Sequence, residues 1–205
     1  NAGQLPGYKN KKESTVGKCV ELTAAKRLSR GNFTVRSFAW SPEGKTIAVT
    51  KVPNPLLSAG VHADIAAVEV TTGRITPLIH NPAPDNFEQW SPDGKQFVYT
   101  SRVNDSTAYF YKNSRLFVYD MATRSSREIA KDFDEQKNVV SWNSSGIYFI
   151  ALQRTKSKLF QVTLPAGGVQ PVEFGYDVVG AVAFSQHTNA IAVSARNYAD
   201  LNEIY

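Results

Sequence analysis

One short motif constrains this chain more than anything else in it. Phe38-Ala39-Trp40-Ser41-Pro42-Glu43-Gly44-Lys45 runs into the alternating stretch Thr46–Thr50. It returns as Glu88-Gln89-Trp90-Ser91-Pro92-Asp93-Gly94-Lys95, followed by Gln96–Thr100. A degraded copy is Val140-Ser141-Trp142-Asn143-Ser144-Ser145-Gly146, and a weaker one is Val182-Ala183-Phe184-Ser185. The aromatics Trp40, Trp90, Trp142 and Phe184 stand 50, 52 and 42 residues apart. A self-similar period of about 40–50 residues is the mark of propeller blades.

Each copy has a physical reading. An apolar strand ends at the aromatic, and Ser-Pro-x-Gly makes a tight turn. Proline presets φ, the acid bonds the local backbone, and glycine accepts positive φ. An alternating strand follows. Third strands are expected at Asp64–Val70, Arg115–Asp120 and Lys158–Thr163, and short fourth strands at Ile75–Ile79 and Arg127–Ile129. Pro77 suits an outer edge strand. The expected fold is therefore all-β, a partial β-propeller of four-stranded antiparallel blades with WD40-like or TolB-like repeats. No segment carries sustained helical periodicity. The repeat divides the chain into a polar tail at 1–17, a partial blade at 18–29, blades at 30–80, 81–130 and 131–174, and a partial blade at 175–205. Strands are expected at Lys18–Leu22 and Ala25–Ser29, and the start of another at Leu201–Tyr205. An open arc of this kind exposes apolar blade faces and is expected to self-associate through its edges.

Composition narrows the function classes. Of 205 residues, 42% are hydrophobic and 20% charged, ordinary values for a globular domain. No apolar run reaches the roughly 18 residues of a membrane span. The net charge of +5 reflects dispersed basic residues, with one dense run at Lys9, Lys11 and Lys12, so no nucleic-acid partner is expected. A single cysteine, Cys19, excludes an intrachain disulfide.

Catalytic signatures are missing from the sequence. It has no Gly-x-Ser-x-Gly elbow, no phosphate-binding glycine loop and no Cys/His pair at metal spacing. His62, His80 and His187 are scattered, and no clustered acids and histidines suggest a propeller-type carbohydrate enzyme. No cofactor, metal site or catalytic residue is expected. In an up-and-down blade the connections alternate between two faces. Here one face receives the longer loops: 51–63, 81–87, 102–114, 131–138 and 195–200. Binding residues concentrate on such loops. Tyr109 and Tyr111 offer flat contact surface, and Asp134 and Glu135, beside Asp132, offer charge for a substrate amino group.

The stretch Leu28–Val35 leading into Phe38–Lys45 resembles the N-terminal propeller of the prolyl oligopeptidase family of serine peptidases, in its bacterial dipeptidyl-peptidase and acylaminoacyl-peptidase branch. Trp90–Lys95, Asn113–Val118, Gly146–Phe149 and the closing Leu201-Asn202-Glu203-Ile204-Tyr205 extend the resemblance over residues 18–205, although the last lacks the family's proline. The resemblance implies an α/β-hydrolase domain as partner in the same parent chain, carrying the serine, aspartate and histidine triad. It implies a propeller that caps the active site and admits short peptides, with acids of the propeller domain gripping the substrate amino terminus in some members. It also implies a periplasmic or secreted parent. A stand-alone TolB-like propeller binding protein partners is the alternative, because Trp-Ser-Pro-Asp-Gly occurs there too.

Overall fold

The computed structural model describes residues 25–103, 112–165, 167–185, 188 and 190–205. Two four-stranded antiparallel sheets come first. One is β1 (Thr34–Trp40), β2 (Thr46–Val52), β3 (Asp64–Glu69) and β4 (Ile75–Ile79) in sequential order. The next is β5 (Asp85–Trp90), β6 (Gln96–Ser101), β7 (Arg115–Asp120) and β8 (Ser125–Ile129), again in sequential order. A third blade follows as β9 (Asn138–Asn143), β10 (Gly146–Gln153), β11 (Lys156–Thr163) and β12 (Gly168–Val172). Then β13 (Val178–Phe184), β14 (Ile191–Arg196) and β15 (Glu203–Ile204) pair antiparallel. A single parallel bridge, Ser157 to Val178, joins the last two groups. The expected strand at Ala25–Ser29 is not formed, and Lys18–Leu22 lies outside the described residues.

The period of 50 residues has a packing reason. Phe97 and Tyr99 on β6 face the first blade, where they cluster with Ala48, Ile65 and Ile79. One blade on, Ile147 and Phe149 face Val98, Leu116 and Ile129 of the second. Ile47 and Val49 hold the same positions in the first blade, where Leu28 packs against their cluster. Each alternating strand thus presents one side to the preceding blade and the other to the next. The repeat aromatics obey the same rule. Trp90 is 5% exposed against the first blade, and its Nε1 donates to the Ala39 carbonyl at 3.3 Å. Trp142 packs into the cluster between the second and third blades. Phe184 meets Tyr148 at 4.6 Å between ring centres. Trp40 and Phe38 are 52% and 68% exposed among the described residues.

The turns follow the motif chemistry. Gly44 and Gly94 sit at φ 70° and 69°, where a side chain is strained. Asp93 Oδ1 accepts from Ser91 Oγ at 2.7 Å and from the Lys95 amide at 3.1 Å. These bonds hold the exposed Asp93 carboxyl below the usual carboxylate range. At Gly146, φ is 141° and a Cβ would stand 2.4 Å from the Val162 carbonyl oxygen.

Each first strand of a blade also carries one register shift, leaving Arg36, Glu88, Val140 and Gly180 as the extra residues. Bulges re-aim side chains. The extra Arg36 reaches the Leu56 and Leu57 carbonyls at 3.1 and 3.3 Å, and so fixes a 3-10 turn at Leu57–His62. The extra Glu88 accepts from Thr100 Oγ1 at 2.7 Å, while burial raises its pKa.

Candidate functional site

The loops after β2, β4 and β8 share one face, and two polar clusters lie there at the seams between blades. The second-to-third connection of the third blade departs from the long-loop pattern. It is a two-residue hairpin closed by Gln153 opposite Lys156, with Arg154 at φ 55°.

At the first seam, Lys51 and Asp64 are paired across the ends of β2 and β3. Lys51 Nζ donates to Asp64 Oδ2 at 3.1 Å, and His80 Nδ1 lies 2.9 Å from Oδ1. Asp64 is thus engaged on both oxygens. Asp85 opens β5 and is fully buried. Its amide donates to the Ala63 carbonyl at 2.8 Å, and Asn81 Nδ2 donates to its Oδ2 at 2.7 Å. Its Oδ1 has no hydrogen-bond partner among the described residues. Burial, above all, pushes the Asp85 carboxyl up to about 6; the Ser101 hydroxyl and the Asn81 amide pull it back, and the nearby Asp64 adds to the rise. An open cavity of about 460 Å³ lies beside it, lined by Pro53, His62, Asp64, His80, Asn81 and Pro82. Reading the sequence alone leaves this cluster unseen, since Asp64 and His80 are neighbours only through strand pairing. The signal available was the register. Once β3 and β4 are aligned from Ile65 opposite Ile79, Asp64 and His80 stand at the same end of the sheet.

At the second seam, the loop holding Asp134 and Glu135 is strapped to the chain before β7. Asn113 Nδ2 donates to the Asp134 carbonyl. Gln136 accepts from the Ser114 amide at 3.1 Å and donates to Ser114 Oγ at 2.8 Å. Below the loop lies Lys137, only 4% exposed, its Nζ donating to the Glu135 carbonyl at 3.0 Å and standing 5.6 Å from the Phe133 ring centre. Burial lowers the Lys137 pKa, against the pull of Asp134, Glu128 and Glu135. Arg115 pairs with Glu128 across β7 and β8. The loop that carries Asp134 and Glu135 therefore sits over a buried lysine, held through the Glu135 carbonyl, which the sequence reading missed. Tyr109 and Tyr111 lie outside the described residues.

Among the described residues no group of three or more His, Cys, Asp and Glu side chains could hold a metal ion. No helix among them is long and apolar enough to cross a membrane.

No family model matches the chain. It is 31% identical over 146 residues to dipeptidyl-peptidase 5 of Porphyromonas gingivalis, a match covering 69% of this chain and 21% of that protein. The chain thus spans about a fifth of the curated relative it matches. Two solved structures share its fold. TolB from Acinetobacter baumannii has a TM-score of 0.62 and 17% identity, covering 86% of this chain and 41% of that one. An acylaminoacyl peptidase from Pyrococcus horikoshii has a TM-score of 0.59 and 17% identity, covering 82% and 25%. The resemblance to the dipeptidyl-peptidase branch therefore holds in sequence through dipeptidyl-peptidase 5, and the two solved structures share the propeller fold.

Proposed function

We propose that these blades are the substrate-gating part of a serine exopeptidase whose hydrolase domain is a separate part of the same parent chain. The observation that carries the reading is the 31% identity to a dipeptidyl-peptidase over 146 residues, which a shared propeller fold alone does not require. In this reading the long-loop face borders the path of short peptides and the blades restrict what enters. The parent protein works in the periplasm or outside the cell. Tyr109, Tyr111, Asp134 and Glu135 are the proposed substrate contacts. The two acids would receive a peptide amino group, with Lys137 beneath them limiting how much negative charge the loop presents.

The test has two arms. The reading frame beyond Tyr205 should encode a segment with a nucleophile elbow; a stop codon shortly after it would leave a stand-alone, TolB-like propeller instead. In the parent enzyme, the double variant Asp134→Asn with Glu135→Gln should raise KM for dipeptidyl substrates with a free amino terminus by about ten-fold, the scale of one charge-assisted hydrogen bond. The kcat and the turnover of amino-blocked substrates should stay unchanged. An unaltered KM would remove both acids from the site.

A further inference from the structure

A third place on the molecule has the form of a binding site, and it lies on the opposite face. The Ser-Pro-x-Gly turns and the ends of the first strands converge there around an open cavity of about 930 Å³. Pro42 and Pro92 contribute from the first two blades, Ser141–Ser145 from the third, and Phe184 from β13. Not one charged side chain lines it among the described residues. Its surface is instead aromatic and hydrogen-bonding: Trp142, Phe184 and Tyr148 beside Gln89, Ser141 and Asn143.

Tyr148 is the informative member. It is 7% exposed, and its ring packs on Phe184. Its hydroxyl makes no hydrogen bond among the described residues, nor do the hydroxyl of Ser141 and the amide of Gln89. The ring is buried, while the hydroxyl borders the open cavity, where an occupant can bond it. Asn143 spends its Oδ1 on the Ser145 amide at 2.9 Å, leaving its NH2 group to the cavity. Donors and acceptors of both kinds thus border flat apolar rings, in a space at the upper end of ordinary ligand pockets.

We propose that this cavity binds an uncharged saccharide, without turnover. A sugar ring offers an apolar C–H face for Trp142 and Phe184, whose π faces are electron-rich. Its hydroxyls match Tyr148, Ser141 and Gln89, each able to give or take a hydrogen bond, and the donating NH2 group of Asn143. A short free peptide fits the lining poorly, because both its ends are charged and no charged side chain among the described residues lines the cavity. The inference stands apart from the peptide-gating reading, which concerns the other face.

The test titrates the whole 205-residue chain with cellotriose and with triacetylchitotriose, followed by tryptophan emission and by saturation transfer to the sugar protons. Tri-alanine is the comparison ligand. At least one trisaccharide should give a saturable signal that survives about 0.5 M salt, since the ligand is uncharged and no charged side chain lines the cavity among the described residues. Tyr148→Phe should weaken it about five-fold, the scale of one neutral hydrogen bond, at an unchanged melting temperature. Ser141→Ala should weaken it by a similar factor and guards against a folding effect in the first variant. Absence of saturable binding by both sugars would overturn the proposal. So would affinity indifferent to both substitutions, or tri-alanine binding with the same sensitivity to them.

Discussion

Replacing Asp85 by asparagine should change how the stability of this chain depends on pH. The carboxyl is fully buried at the seam between the first two blades, with one oxygen unpartnered among the described residues, and burial pushes its pKa up to about 6 from 3.8. An acid whose folded pKa is raised binds more protons folded than unfolded between those two values. Stability from this group is therefore complete below about pH 4 and lost as pH rises through about 6. At about 1.4 kcal/mol per pH unit the gap corresponds to about 3 kcal/mol. The surrounding loop is close to solvent, so about 2 kcal/mol is the expected effect. Asparagine keeps an oxygen for the Asn81 amide and never ionises, so any cost of its extra N–H groups does not vary with pH. The assay is urea unfolding of both proteins from pH 4 to pH 7.5, followed by tryptophan emission. Taking the difference cancels shared titrations such as that of Glu88, whose pKa is also raised. Relative to the parent chain, the variant should gain about 2 kcal/mol between pH 4 and pH 7. A difference that stays flat across that range would mean that the folded chain does not hold the Asp85 carboxyl above its ordinary pKa.

Three further outcomes follow from the geometry. Gly146→Ala, at φ 141° with a Cβ 2.4 Å from the Val162 carbonyl oxygen, should cost about 2–3 kcal/mol in thermal or urea unfolding. The repeat tryptophans should differ although their motifs match: Trp90→Ala, at 5% exposure, should cost about 3–5 kcal/mol, and Trp40→Ala, at 52% exposure, under about 1 kcal/mol. The same exposed surface around Trp40 and Phe38 should make the chain associate as concentration rises in sedimentation velocity, and Trp40→Ser should weaken that association.

Much of the blade plan is legible in the sequence because it is written in local chemistry. Ile75–Ile79 and Arg115–Asp120 form strands with the bounds expected from alternation and turn residues. Thr46–Val52 runs two residues past its expected end, and β11 starts two residues early at Lys156. That early start closes a hairpin on Arg154 and Thr155, with positive φ at an arginine, where no glycine or asparagine announces a turn. Ala25–Ser29 reads as strand by its residues but finds no partner among the described residues, and pairing is what stabilises a strand.

The site was less legible, for a different reason. Asp134 and Glu135 stand out as acids in a loop, but the cation beneath them is Lys137, two residues on from Glu135, and only burial distinguishes it from the other lysines. Asp64, His80 and Asp85 come together through strand register across two blades. The extra residues on the first strands are equally silent: Arg36, Glu88, Val140 and Gly180 share no side-chain chemistry, and only the pairing shows them to be equivalent.

If these residues gate chemistry performed elsewhere in the parent chain, the serine that performs it lies outside residues 1–205. Labelling the parent protein with a fluorophosphonate and mapping the modified peptide tests it most directly. One labelled serine is expected in a segment following Tyr205, and no label on this chain alone. A labelled serine within residues 1–205, or an active parent enzyme that takes no label, would contradict it.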